Sequence, residues 1–173
     1  MSSITIKKVG ILDTKTDIIV NAANSQLRHG AGVCGVIFNA AGPKQLQATC
    51  DKIGYCPTGS AVITPAFNLN AKYIVHAVGP IYQDGNHKEP QLLYSAYKKS
   101  LELAQQYNCH SIGFPLISAG IFGYPLDKAW RKAIQACNDF INTNPNYNID
   151  VTFAVIDDRV LSVGQQTLKD IVG

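Results

Sequence analysis

Ser111-Ile112-Gly113-Phe114-Pro115-Leu116-Ile117-Ser118-Ala119-Gly120-Ile121-Phe122-Gly123-Tyr124-Pro125-Leu126 is the stretch that decides the fold. It opens with a short apolar run, Ser111–Phe114, passes through a glycine-bearing turn, and reaches a proline where a helix start tolerates one. Beyond it Leu126, Ala129, Trp130, Ala133, Ile134, Cys137, Phe140 and Ile141 recur at intervals of three and four, one apolar stripe along a helix. A buried strand, a tight turn and an amphipathic helix make half of a βαβ unit. The same alternation runs outward in both directions. Strands are expected at Ser3–Lys7, Ile18–Ala22, Ala61–Pro65, Tyr73–Val78, Ser111–Phe114 and Val151–Val155. They are short and apolar nearly throughout, as strands covered on both faces should be. Leu93, Tyr97, Leu101 and Ala104 mark another helix behind Pro90, and a last helix is expected from about Leu161 to Val172. Only seven residues separate Ala61–Pro65 from Tyr73–Val78, too few for a crossover, so one antiparallel hairpin is expected there. The class is α/β: a three-layer α/β/α sandwich on a mixed, mostly parallel sheet, with residues 1–173 forming one domain.

Composition narrows the function. Of 173 residues 46% are apolar and 16% charged, which excludes a disordered chain. No apolar run reaches the ~18 residues that span a bilayer, so no membrane partner is expected. The opening MSSITIKKVG lacks an apolar run before a small-residue cleavage site, and no secretory leader is expected. Net charge is +3 and lysines come at most in pairs (Lys7–Lys8, Lys98–Lys99), so general nucleic-acid binding is not expected. The cysteines Cys34, Cys50, Cys56, Cys109 and Cys137 are odd in number and form no CxxC, which points to reduced thiols in a cytoplasm. The histidines His29, His76, His87 and His110 show no ligand spacing, so neither a metal nor a cofactor is expected.

In open α/β sheets ligands bind beyond the carboxyl ends of the strands. After Ile18–Ala22 comes Ala23-Asn24-Ser25-Gln26-Leu27-Arg28-His29-Gly30-Ala31-Gly32-Val33-Cys34-Gly35; after Ser111–Phe114 comes the turn quoted above. Both are glycine-rich and each leads into a helix, where exposed N–H groups and the helix dipole favour anions. Neither has the lysine of a Walker A loop. Residues 30–35 match GxGxxG literally, but seven residues separate Ala22 from Gly30, whereas a dinucleotide fingerprint follows its strand directly. Two such turns would hold two phosphates by main-chain donors, each charge-assisted bond worth roughly 1.5–3 kcal/mol; the plainer alternative is glycines that only make turns. Asn21 and Asn24 need partners, either ligand hydroxyls or local backbone. Phe122, between glycines, has a ring for a sugar face or for a satellite packing contact. Cys34 stands near a helix start, a setting that lowers a thiol pKa and suits a nucleophile. His29 offers an imidazole, a side chain suited to proton transfer, or is a plain exposed loop histidine.

Taken together, Ile19-Val20-Asn21-Ala22-Ala23-Asn24-Ser25, Gly30-x-Gly32-Val33-x-Gly35, Ala40-Ala41-Gly42, His76-Ala77-Val78-Gly79-Pro80 and Ser118-Ala119-Gly120-Ile121-Phe122-Gly123 resemble a macrodomain, close to the MacroD-type branch. The resemblance covers nearly the whole chain in order and spacing. It implies a three-layer fold that binds ADP-ribose. It places Ala22, Asn24, Gly30, Ala31, Gly32, Val33 and Cys34 along the distal phosphate and ribose, and Ser118, Ala119, Gly120 and Ile121 around the diphosphate. It sets the Phe122 ring on the distal ribose, and Gly10, Ile11, Ile156 and Asp157 at the adenine end. It ties Asn24 most closely to hydrolysis, with His29 as a candidate to assist. Two departures stand out. The family's usual aspartate is Cys34 here, and the aspartate that meets the adenine amine falls on Gly10, where Asp13 replaces it only if the loop shifts. The implied activity is hydrolysis of mono-ADP-ribosyl or related ADP-ribose ester linkages, such as O-acetyl-ADP-ribose or ADP-ribose 1''-phosphate. The alternative is a non-catalytic module for ADP-ribose or ADP-ribosylated protein; a monomer is expected in either case.

Overall fold

A computed structural model describes residues Met1–Gly173. Six strands, β1 (Ser3–Lys8), β2 (Ile18–Ala22), β3 (Ala61–Pro65), β4 (Tyr73–Ala77), β5 (Ser111–Phe114) and β6 (Asp150–Val155), form one sheet in the order β1-β6-β5-β2-β4-β3. Every pairing is parallel except β3 with β4, the hairpin expected from its short connection. Five helices accompany it: α1 (Gly32–Ala41), α2 (Pro43–Ile53), α3 (Glu89–Gln106), α4 (Leu126–Thr143) and α5 (Asp158–Val172).

The inner strands β2, β4, β5 and β6 are buried on both faces because helices cover both, whereas the edge strands β1 and β3 are only partly covered. Ile18 and Val20 of β2 point to a 26-residue core shared with α3 and α4, against which α5 packs; Ile19 points to a 14-residue core shared with α1 and α2. The period of two divides β4 likewise, Val75 and Ala77 to the first core and Ile74 to the second. Aromatic rings fill the larger core: Tyr97 meets Phe114 edge-on at 5.0 Å, Phe114 stacks on Phe153 at 5.6 Å, and Trp130 meets Phe153 at 5.2 Å between centroids. A Cβ at Gly164 would lie 2.6 Å from the Trp130 ring, so glycine lets α5 lie directly on the indole. No helix is long and apolar enough to cross a membrane.

Boundaries differ from expectation for local reasons. Strand β4 stops at Ala77 because the Val78 N–H turns to the Ser60 carbonyl. Helix α5 begins at Asp158, three residues before the expected start, because Asp157 caps it: its Oδ1 accepts the N–H groups of Arg159 and Val160. Gly42, at φ 109°, ends α1 and starts α2, a corner that a side chain would strain.

Candidate ligand-binding and catalytic site

The parallel strands β2 and β5 are neighbours, so the loops that follow them emerge side by side at one end of the sheet. Their hydrogen bonding is unusual. In the first loop the N–H groups of Gly30, Ala31, Gly32, Val33 and Cys34 have no acceptor within the protein, and Ala31 at the start of α1 supplies no side-chain cap. In the second, the N–H groups of Ser118, Ala119, Gly120, Ile121 and Phe122 also have none. Buried backbone donors are nearly always paired, and Cys34 and Ser118, each 6% exposed, are buried residues. Two runs of five successive open amides at adjoining strand ends form a surface that attracts anions.

The second loop is nonetheless rigidly defined. Gly123 N–H binds the Gly120 carbonyl (3.0 Å), Tyr124 N–H that of Ser118 (2.9 Å), and Ile117 N–H the Tyr97 hydroxyl (2.8 Å). Ser118 holds φ at +68°, a left-handed conformation rare outside glycine, which turns the chain and its amides inward. Gly79 leaves the room for it: a Cβ there would come within 2.2 Å of Ser118 Oγ. At Gly120 a Cβ would meet nothing within 4 Å, so that position faces open space. Phe122 is half-buried, and its carbonyl accepts the Tyr82 N–H (2.8 Å). The Tyr82 segment is organised by Glu89, 1% exposed, whose carboxylate takes the N–H groups of Gln83, Asp84, Gly85 and His87. Burial alone would raise its pKa; the amide donors prevail and hold it at about 2. Asp84, His87 and Glu89 are close enough to share a cation, but those amides and the Asp84–His87 contact already occupy them.

Around the first loop, the Asn24 amide grips one residue twice: Nδ2 donates to the Arg28 carbonyl (2.9 Å) and Oδ1 accepts the Arg28 N–H (3.0 Å). One amide hydrogen and one lone pair stay available. A Cβ at Gly30 would lie 3.8 Å from Asn24 Nδ2 and 3.7 Å from Cys34 Sγ, so both groups border the same face of Gly30. Cys34 is buried, and its Sγ donates to the Arg28 carbonyl at 3.6 Å. The thiolate expected at a helix start is not favoured. Burial pushes the thiol up, against smaller opposing effects of Asn21 and the Gly30 backbone. His29 is brought to α1: Nε2 lies 3.0 Å from Asn39 Oδ1, the ring meets Phe38 edge-on at 5.3 Å, and no hydrogen bond joins it to Asn24.

Asn21 finds a partner for its Nδ2 within the protein. It is 1% exposed, and its Nδ2 donates to His76 Nδ1 (3.0 Å); His76 Nε2 then donates to Thr64 Oγ1 (3.0 Å). Burial lowers the His76 pKa to about 4 and keeps the ring neutral. The unfolded chain, with its imidazole near 6.5, therefore binds the extra proton first. Stability from this group is complete above about pH 6.5 and declines towards pH 4, by roughly 3 kcal/mol. Melting temperatures between pH 7 and 4 should fall less steeply in His76→Gln than in the wild type; equal slopes would contradict this account.

At the far end Gly10 and Ile156 follow the paired strands β1 and β6, in which Lys8 matches Val155. Ile156 is 76% exposed, an apolar platform. Ile11 is only 6% exposed and belongs to the α1–α2 core, so its side chain is packed against protein. Asp157 spends one carboxylate oxygen on capping α5. The single helical turn Ile11–Asp13 folds back so that Asp13 Oδ2 lies 3.4 Å from where a Gly10 Cβ would be; no loop shift is needed to bring that carboxylate over Gly10.

Comparison with known proteins agrees with this geometry. The family model described as Macro domain matches residues 20–133. A macro domain-containing protein of Caldanaerobacter subterraneus is 45% identical over 95% of this chain and 94% of its own length. A protein of Escherichia fergusonii named O-acetyl-ADP-ribose deacetylase is 49% identical, over 81% of each chain. The solved macrodomain of Oceanobacillus iheyensis with ADP superposes at a TM-score of 0.90, with 36% identity, covering 96% of this chain and 90% of that one.

Proposed function

This chain belongs to the macrodomain family, and from that premise we propose that it binds ADP-ribose and hydrolyses an ADP-ribose ester or mono-ADP-ribosyl linkage. The observation that carries the reading is the double row of open amides on the Gly30–Cys34 and Ser118–Phe122 loops. A diphosphate offers the oxygens such a surface lacks. The half-buried Phe122 ring and the Asn24 amide flank the distal ribose, and exposed Ile156 with the Asp13 carboxylate over Gly10 serves the adenine end.

No carboxylate occurs between Asn24 and Gly42, so the usual pair of acids is absent from the first loop. Asn24 orients the distal ribose and a water by its remaining hydrogen and lone pair. For a glycosyl ester the water oxygen bonds to the anomeric carbon. The bond from that carbon to the leaving carboxylate breaks with its electron pair, and the water proton passes to a phosphate oxygen of the ligand. Positioning supplies the rate. Cys34 acts as a neutral donor to the loop, and His29 braces the loop against α1. The five free thiols suit a reducing cytoplasm.

Calorimetry with ADP-ribose, AMP and NAD side by side tests the binding. Micromolar ADP-ribose with at least ~10-fold weaker NAD is the expected result; preference for NAD would overturn it. The second reading, a module that binds without cleaving, is favoured by Cys34 standing where the family usually has aspartate. Free ADP-ribose appearing from O-acetyl-ADP-ribose or from mono-ADP-ribosylated protein decides for the enzyme, and its absence decides for the module.

A further inference from the structure

Gln47 on α2 lies outside every motif of the chain, yet its side chain is fully engaged against the loop that carries Asn24. Its Oε1 accepts the His29 N–H at 2.8 Å, and its Nε2 donates both to the Leu27 carbonyl at 3.0 Å and to Asp51 Oδ1 at 2.9 Å. Both amide hydrogens are used, so the reversed orientation would set oxygen against the Leu27 carbonyl and the Asp51 carboxylate. Arg28, between those residues, is held by Asn24 through its N–H and carbonyl. Two primary amides thus clamp three successive residues of backbone, as flanking strands would. The segment needs such a clamp. Leu27 is held at φ +55°, a conformation that persists only where the surroundings over-determine it.

We propose that Gln47, oriented by Asp51, is a positioning residue that holds the Leu27–His29 backbone and so fixes the angle at which the Asn24 amide meets the distal ribose. The proposal rests on the hydrolase reading. Hydrogen bonds weaken steeply with misalignment, so a loop that slackens by a fraction of an ångström keeps its ligand and loses its rate.

The near-isosteric Gln47→Glu variant tests this. Its carboxylate still accepts the His29 N–H but has nothing to donate to the Leu27 carbonyl, and it faces Asp51. The other titratable groups are Arg28 and His29 on the clamped segment, Lys44, Cys50 and Lys52 on α2 itself and the buried thiol of Cys34 on α1; α1 and β3 carry no charged side chain. With a peptide mono-ADP-ribosylated on a carboxylate at about pH 8, kcat is expected to fall ~10-fold while the ADP-ribose Kd stays within about 3-fold of wild type. As the pH falls towards 5.5 the introduced carboxyl takes up a proton and becomes a donor again. The kcat ratio to wild type should then recover, whereas in Gln47→Leu it should stay low at every pH. A merely structural role would lower binding and rate together and show no recovery. Wild-type kcat in Gln47→Glu at pH 8, or equal ratios at both pH values, overturns the positioning role alone. No turnover in the wild type overturns the hydrolase reading instead.

Discussion

Gly120→Glu should lose ADP-ribose at least ~10²-fold in Kd while melting at the wild-type temperature. The two halves of this result have separate causes. Gly120 is exposed and does not need a positive φ, and a Cβ there meets nothing within 4 Å, so the folded chain accepts a side chain without strain. The space it enters is the one bordered by the open amides of Ser118–Phe122. A carboxylate about 4 Å from a phosphate oxygen meets repulsion of roughly 4 kcal/mol at the effective dielectric of a protein surface, and every ~1.4 kcal/mol is tenfold in affinity. Gly120→Gln separates bulk from charge, since it fills the same space and should weaken binding less. Undiminished affinity in Gly120→Glu would put the diphosphate somewhere else and dismantle the site.

Asn24→Ala should reduce turnover at least ~10²-fold, the scale of one lost positioned donor, and leave ADP-ribose binding within about tenfold. On the proposed reading, affinity comes from main-chain donors that this change leaves in place, and rate depends on the one amide hydrogen and lone pair that Asn24 keeps free after binding Arg28. Arg28 is exposed, so water replaces the lost contacts to its backbone and the fold survives. Calorimetry on the variant establishes that survival before kinetics are compared. Turnover near the wild-type value would remove Asn24 from the mechanism.

Much of this molecule can be read from its residues. The six strands are legible because each is a short, largely apolar run between turns, with β2, β4, β5 and β6 buried on both faces and the edge strands β1 and β3 only partly covered, and the β3–β4 hairpin because its link is too short for a helix. Both glycine-rich loops are legible because glycine at a strand end followed by a helical pattern has few other uses. The start of α5 is missed by three residues when read from its apolar pattern alone; Asp157, an acceptor directly ahead of it, is the signal that marks it. Other features depend on distance in sequence. Asn21 finds its partner 55 residues away in His76, a match that strand pairing, and no local motif, brings about. His29 looks poised beside its glycines until α1 folds back and presents Asn39 and Phe38. Cys34 has the sequence context of an activated thiol, and only the packing around it reveals desolvation as the stronger influence. Gln47 and Glu89 leave no trace in sequence, because they bind backbone atoms, which every residue supplies alike.

A surface that recognises its partner through peptide amides has an unusual tolerance. In the proposed site the groups that Ala31, Ala119 and Ile121 offer are backbone N–H groups, so those side chains could be replaced while the grip is kept. Proline is the exception, since an imide has no hydrogen to give. Lineages descended from such a chain can diversify what surrounds the phosphates long before they forfeit the ability to hold them.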